Sequence, residues 1–214
     1  MHIEIASIRQ NYSKQVLLES DVFDNPIRQF DKWWQEAMRA QIEEINAMTL
    51  ATSSTDGTPS ARIVLLKDFS EKGFMFFTNY DSHKAQQLAQ NPKACLVFFW
   101  KELERQVRVA GTVSRVDPAE SDFYFNSRPE ESRIGALTSP QSRVIENRSW
   151  IDEQYAKNFA LLSGTSFQRP ANWGGYIVTA TTIEFWQGRP SRLHDRLQYT
   201  LQKNNEWKIE RLAP

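Results

Sequence analysis

Residues 24–45, "DNPIRQFDKWWQEAMRAQIEEI", carry apolar side chains at helical spacing, with Ile27, Phe30, Trp34, Ala37 or Met38, Gln41 and Ile45 tracing one face. Asp24 or Asn25 can cap this helix, and Pro26 suits its first turn. From Ala47 the period shortens. "AMTLATS" and "SARIVLLK" read as strands around "TDGTP", whose Asp56-Gly57 pair is a hairpin signal. "KGFMFFTN" is a further strand, followed by a short helical piece, "SHKAQQLAQ", stopped at Asn91-Pro92. "KACLVFFW" and "RQVRVAGTVSRV" are two more strands, and Pro118 opens a helix that ends near Pro129. A helix through "WIDEQYAKNFALL" lies between polar loops "TSPQSR" and "SGTSFQRPANW". Four β candidates close the chain: "GGYIVTA", "TIEFWQ", "RLQYTLQ" and "EWKIERLAP".

Seven to nine short strands with helices inserted between them predict a mainly β fold, an antiparallel barrel or sandwich with peripheral helices, rather than alternating βαβ units. Residues 1–20 are polar with scattered apolar positions and read as a mobile arm. No repeat, low-complexity segment or Pro/Gly/Ser-rich linker divides residues 21–214, which read as one domain.

Composition narrows the function. The 214 residues are 40% hydrophobic and 24% charged, as in a soluble globular protein. Lys plus Arg and Asp plus Glu both number 26, so the total charge does not suggest a nucleic-acid binder. The cations are nonetheless concentrated late. Residues 1–60 hold 5 cationic and 9 acidic side chains, whereas residues 186–214 hold 6 and 3. Arginines outnumber lysines sixteen to ten, which suits a small planar anion as ligand. Only eight glycines are present, with no G-x-G-x-x-G and no phosphate-binding P-loop, so side chains must hold any phosphate. One cysteine, Cys95, and three histidines leave no zinc-ligand spacing, and no metal is expected. Cys95, in the apolar run "ACLVFFW", reads as a buried small hydrophobe. The N-terminus has no secretory apolar stretch and no window approaches the ~18 apolar residues of a membrane span, so the expected location is cytoplasmic.

Four clusters carry candidate chemistry. In "EFWQGRPSRLHDR", a strand over the last five residues would put Arg192, His194 and Arg196 on one face. An anion or a flat electron-rich ligand would explain three such groups together, and so would a solvated edge strand. On the helix from Pro118, Tyr124 and Arg128 share a face, with Ser132 just past Pro129; phenol, guanidinium and hydroxyl all donate to phosphate oxygens. Surface solvation accounts for the same spacing. Arg62 and Lys67 lie five apart, on opposite faces of a regular strand, and reach one ligand region only through a bulge or if two ligands are bound. Ser82 is a candidate cap for the helix whose first turn holds Lys84. Most of the aromatics lie in strand runs and read as core, with Trp186, beside the cationic cluster, the exception.

At "IEFWQGRPSRLHDR" the chain resembles the pyridoxamine 5′-phosphate oxidase (pyridoxine phosphate oxidase) family. The blocks "RIVLLK", "FTNYDSHKA", "LERQVRV", "FNSRPEESRIGA", "SPQSR", "NWGG" and "WKIERLAP" follow in that family's order along essentially the whole chain. The resemblance implies an FMN-binding split β-barrel acting as a homodimer, with sites built at the subunit interface. It implies oxidation of pyridoxamine 5′-phosphate and pyridoxine 5′-phosphate to pyridoxal 5′-phosphate, with O2 as electron acceptor giving H2O2. By the same resemblance, FMN is held by Arg62, Ile63, Val64, Leu65, Lys67, Phe77, Thr78 and Lys84, together with Gln106, Gln141, Ser142, Trp186 and Arg196. The substrate phosphate falls to Lys67, Tyr124, Arg128 and Ser132, its ring to Arg192 and His194 as catalytic residues, and the lid to Arg9 and Tyr12. Ser82-His83-Lys84 departs from the Ser-Arg-Lys common in the family, which predicts a weaker or more pH-dependent hold on FMN.

Two phosphates, each of about −1.5 to −2 charge near neutral pH, call for several cations, and Arg62, Lys84, Lys67 and Arg128 supply four. Other readings keep the barrel but change the substrate, since related split barrels bind FMN, deazaflavin or haem, or make the chain a pyridoxal phosphate carrier or single-strand nucleic-acid binder. The "SRPEES" and "RLHDR" blocks weigh against the first and zero net charge against nucleic acid.

Overall fold

Asn25 starts the first helix. Its Oδ1 accepts from the backbone N–H groups of Ile27 (2.8 Å) and Arg28 (3.2 Å), and Pro26 needs no partner at the first helical position. In the computed structural model, which describes Ser7 and residues 10–214, this helix is α1, Pro26–Arg39. Its buried face is Pro26, Gln29, Phe30, Trp33 and Ala37, while Met38 is exposed. The predicted face was therefore turned by about one residue, because adjacent Trp33 and Trp34 fit the apolar period equally well. The helix also stops before Gln41 (φ 53°) and Glu44 (φ 45°), whose left-handed backbone ends it.

Nine strands follow: β1 (Ala47–Ser53), β2 (Pro59–Leu65), β3 (Asp68–Ser70), β4 (Gly73–Asn79), β5 (Lys93–Trp100), β6 (Arg105–Arg115), β7 (Trp173–Gln187), β8 (Asp195–Leu201) and β9 (Trp207–Arg211). The remaining helices are α2 (His83–Gln90), α3 (Pro118–Ser127), α4 (Glu130–Thr138) and α5 (Arg148–Leu162). The strand order is β2-β1-β5-β6-β7-β4-β3, with β8 on β7 and β9 on β8. The mainly β class with inserted helices holds. The β1–β2 hairpin turns where expected: Asp56 Oδ1 takes the Thr58 N–H (2.9 Å) and the Ser54 hydroxyl (2.6 Å), and Gly57 supplies φ +87°.

Three elements differ from the sequence prediction. "GGYIVTA" and "TIEFWQ" form one continuous strand, β7, since no turn residue interrupts "TATT" and its threonines favour extended backbone. Helix α4 occupies residues between Pro129 and "TSPQSR" to which the sequence assigned no element; only Ile134 and Thr138, four apart, are buried on it, too weak a stripe to detect. β3 is a three-residue strand closed onto β4 by Gly73 (φ +137°), where a Cβ would stand 2.3 Å from the Val178 carbonyl oxygen.

The chain forms two contact units. The first is Met1–Leu50, Cys95–Gly111 and Ala180–Pro214. In it β7 pairs antiparallel with β8 from Thr182↔Thr200 to Gln187↔Asp195, and β8 with β9 from Leu197↔Arg211 to Leu201↔Trp207. Its core is aromatic: Phe30, Phe98, Trp100, Phe185 and Tyr199 are fully enclosed, and the Tyr199 hydroxyl donates to the Phe23 carbonyl (2.7 Å). Each such ring contributes roughly 1.5–3 kcal/mol by burial. Cys95 is half-buried rather than enclosed, and burial pushes its thiol pKa up. The second unit is Ala51–Ala94 and Thr112–Thr179. There β4 pairs with β7 from Phe74↔Val178 to Asn79↔Trp173, over a core that includes Phe74, Phe76, Leu88, Phe125 and Ile134.

Candidate functional site

In the second unit β2 carries Ser60, Arg62 and Val64 on its half-buried side. The Arg62 guanidinium donates to Thr52 Oγ1 and Ser60 Oγ, both at 2.6 Å, and both hydroxyls in turn donate to Gln87 Oε1 from α2. β2 ends at Leu65. Lys67 lies beyond it, its N–H on the Met75 carbonyl (2.9 Å), so strand alternation no longer governs its direction. Arg62 and Lys67 consequently line one cavity of about 530 Å³ without a bulge, contrary to the opposite-face expectation. Ile63, Val64 and Leu65 line the same cavity.

Phe77, Thr78 and Lys84 form another wall. Lys84 is buried, its Nζ donating to Gln141 Oε1 (2.9 Å), Thr78 Oγ1 (3.1 Å) and Ser82 Oγ (3.3 Å). Burial, with a smaller contribution from Arg62, pushes its pKa down to about 8. Ser82 stands at the N-cap position of α2 but does not cap it, because its hydroxyl is turned to the Asn79 carbonyl (2.7 Å). His83 is exposed on the first turn and does not line the cavity.

α3, Pro129 and α4 bring Tyr124, Arg128 and Ser132 to this cavity, joined by Gln141 and Trp173. Tyr124 stacks on Phe77 with ring centroids 4.0 Å apart. Arg128 lies 4.7 Å over Trp173, and its Nη1 is buried with no hydrogen-bond partner among the described residues. No Asp or Glu is among the lining residues. Four cationic side chains without a lining carboxylate, together with an orphaned guanidinium nitrogen, give the cavity the chemistry that suits an anion.

In the first unit a second cavity, of about 610 Å³, is lined by Tyr12, Arg189, Ser191, Arg192 and His194 with Gln10 and Asn11. The strand expected over residues 192–196 is a correction: Pro190–Arg192 is a 3₁₀ turn with Ser191 at φ 58° and Arg192 at φ 63°, and β8 begins only at Asp195. A two-residue alternation therefore does not align these groups. The turn nonetheless puts Arg192 and His194 on one cavity. His194 Nδ1 accepts from the Arg189 N–H (3.0 Å), and its ring lies 4.6 Å from Trp186 and 5.9 Å from Tyr12. Burial, then the Arg192 charge, lowers the His194 pKa against an opposing effect of Asp195.

Arg196 does not line this cavity. It makes a two-pronged pair with Glu184 (2.8 and 3.1 Å) and donates to the Ala213 carbonyl (2.7 Å). Gln106 is half-buried on β6, and Ser142 is exposed with φ 71°; neither lines either cavity. Arg9, with most of the arm before Gln10, lies outside the described residues. Trp173, Arg189 and Glu184 were not singled out by sequence reasoning. All three sit in quoted blocks, "NWGG" and "EFWQGRPSRLHDR", and only tertiary placement gives them a role.

This sheet is that of the FMN-binding split barrels. A pyridoxamine 5′-phosphate oxidase-related FMN-binding protein from Nostoc punctiforme shares the fold, with TM-score 0.69 and 18% identity over 86% of this chain and 97% of that one. The chain belongs to the pyridoxamine 5′-phosphate oxidase family: residues 34–157 match its family model, and residues 173–214 match the pyridoxine 5′-phosphate oxidase C-terminal dimerisation region. Curated relatives called pyridoxine/pyridoxamine 5′-phosphate oxidase include those of Trichormus variabilis, 53% identical over 98% of both chains, and Paraburkholderia phymatum, 55% identical over 98% of this chain and 99% of that one. The crystal structure of PhzG from Burkholderia lata, in complex with tetrahydrophenazine-1-carboxylic acid, has TM-score 0.87 and 28% identity over 94% of this chain and 98% of that one. The chain is thus an oxidoreductase of this family. Among the described residues no helix is long and apolar enough to cross a membrane.

Proposed function

We propose that this chain oxidises pyridoxamine 5′-phosphate and pyridoxine 5′-phosphate to pyridoxal 5′-phosphate with O2 as electron acceptor, giving H2O2 and, from the amine, ammonia, as the last step of vitamin B6 cofactor synthesis and salvage. The observation that carries this reading is the acid-free cavity with four cationic side chains and the orphaned Arg128 Nη1, found in a chain of this family.

The residues present fit FMN. Arg62 and Lys84 offer donors held in place by neutral oxygens, so a bound phosphate monoester would meet no competing carboxylate on the cavity wall. Ile63, Val64, Leu65, Phe77 and Thr78 would line the flavin, with Lys67, Gln106, Gln141, Ser142, Trp186 and Arg196 completing its surroundings. Bound FMN would supply a two-electron acceptor for the substrate's C4′ carbon, with O2 as the final acceptor.

The chain itself supplies grip and orientation. Lys67, Tyr124, Arg128 and Ser132 would hold the substrate phosphate. Arg192 would hold the pyridine ring and stabilise developing charge. With Nδ1 occupied by the Arg189 N–H, neutral His194 carries its proton on Nε2, which would donate to the ring's 3-oxygen. Tyr12, with Arg9, would cover the substrate. The active form would be a homodimer with sites at the subunit interface, consistent with the matched dimerisation region.

The purified protein should be yellow, bleach under anaerobic pyridoxamine 5′-phosphate and recover its colour in air with release of peroxide. A flavin-loaded protein that stays oxidised under both substrates would overturn the proposal. Arg192→Leu should lower turnover or substrate affinity; if both were unchanged, its assignment would fall.

A further inference from the structure

Glu104 combines burial, charge and a strained backbone where a simple connection would need none of them. It follows the 3₁₀ turn Lys101–Leu103 with φ 54° and ψ 41°, left-handed geometry that a side chain with a Cβ adopts only when its surroundings impose it. Its carboxylate Oε2 accepts two successive backbone N–H groups, from Ser13 (2.9 Å) and Lys14 (3.0 Å). Its carbonyl accepts from the Gly188 N–H (2.7 Å) and from Gln187 Nε2 (3.2 Å). One residue therefore ties the segment just after Tyr12 to the segment just before Arg189, and both flank the cavity of Arg192 and His194.

Gly188 is the other half of this joint. A Cβ there would lie 2.7 Å from Tyr12 Cγ, so the tyrosine ring rests directly on the glycine, edge-on to Trp186 at 5.8 Å. The neighbouring contacts keep the segment in line: Lys14 Nζ donates to the Glu102 carbonyl and the Arg105 guanidinium to Gln15 Oε1.

We propose that Glu104 is a positioning residue for substrate, holding the segment that carries Tyr12 against the turn that carries Arg192 and His194. The inference rests on the reading of those three residues as substrate contacts. Glu104 does not touch the ligand. It acts by fixing Tyr12 in place before the substrate arrives, which lowers the ordering cost of binding.

The test uses the FMN-loaded enzyme. Glu104→Ala should raise KM for pyridoxamine 5′-phosphate about tenfold with kcat within about twofold, the loss of two charge-assisted hydrogen bonds acting through binding. Glu104→Gln, whose amide oxygen still accepts both N–H groups, should restore most of the affinity. In a Tyr12→Ala background, Glu104→Ala should cost little more, because the two act through one segment. Independently of activity, trypsin cleavage after Lys14, followed by mass spectrometry, should be several-fold faster in Glu104→Ala. Gly188→Ala, which pushes Tyr12 aside without removing the carboxylate, should reproduce the rise in KM and serves if Glu104→Ala does not fold. Unchanged KM and unchanged cleavage at Lys14, or fully additive losses with Tyr12→Ala, would overturn the role of Glu104. A wild-type enzyme that does not turn over pyridoxamine 5′-phosphate would instead overturn the functional reading, while the cleavage comparison would still test the joint.

Discussion

Lys84 Nζ donates to Gln141 Oε1 at 2.9 Å, a neutral acceptor where a buried ammonium would ordinarily meet a carboxylate. With the Thr78 and Ser82 hydroxyls also accepting from it, the charge is solvated by oxygens but not neutralised by them. Such an arrangement is unfavourable for the empty protein and favourable once an anion binds.

A stability measurement follows directly. The folded-state pKa of Lys84, about 8, lies below its ordinary 10.5, so between these values the unfolded chain binds more protons and stability rises with pH. The urea midpoint of FMN-free protein should therefore gain from pH 8 to 10.5 relative to Lys84→Met, which lacks the titration. FMN affinity should move the other way, falling as pH passes 8 and the ammonium is lost. Equal pH slopes for wild type and Lys84→Met would contradict this account.

Arg128→Met should separate binding from stability. Removing the guanidinium would take away a proposed substrate phosphate contact, and KM should then rise at least tenfold. Because Nη1 has no partner among the described residues, the melting temperature should hold or increase. Titration with substrate and a thermal melt, both on the FMN-loaded protein, check the two halves.

For His194 the expectation concerns acid. Its pKa is lowered from 6.5 by burial and by Arg192, and protonation would destroy the acceptor that the Arg189 N–H uses. The value of kcat/KM should be flat above pH 6.5 and fall below it, and His194→Gln should remove that acid limb. Histidine-selective nitrogen NMR should show Nδ1 unprotonated at neutral pH; a proton on Nδ1 would contradict the tautomer.

Glu184 is buried and holds both Arg196 and Arg108, the latter at 3.2 Å. Glu184→Ala leaves two guanidinium groups without their carboxylate and should cost about 2 kcal/mol in urea denaturation. Since Arg196 is a proposed FMN contact, the flavin dissociation constant should rise as well, read by fluorescence recovery on dilution.

What was legible in the chain was local chemistry. Asp56-Gly57 announces its turn because side chain and φ requirement sit within five residues, and Asn25-Pro26 announces a helix start for the same reason. The failures were of longer range. Nothing near Lys67 says that β2 ends two residues earlier, since that ending is set by the Lys67–Met75 backbone bond. Residues 192–194 alternate like a strand, yet Ser191 and Arg192 take positive φ in a turn that His194 closes onto Arg189. The residue types of the site were therefore readable while their geometry was not, and Trp173 beneath Arg128 became visible only when α3 and β7 were placed.

The half-buried state of Cys95 bears on durability. The proposed reaction would release peroxide beside the chain itself, and peroxide attacks the thiolate rather than the thiol. By raising the pKa of this sole sulfhydryl, its packing on β5 keeps it in the sluggish protonated form, so repeated turnover should leave the chain without a sulfenic acid or an intersubunit crosslink.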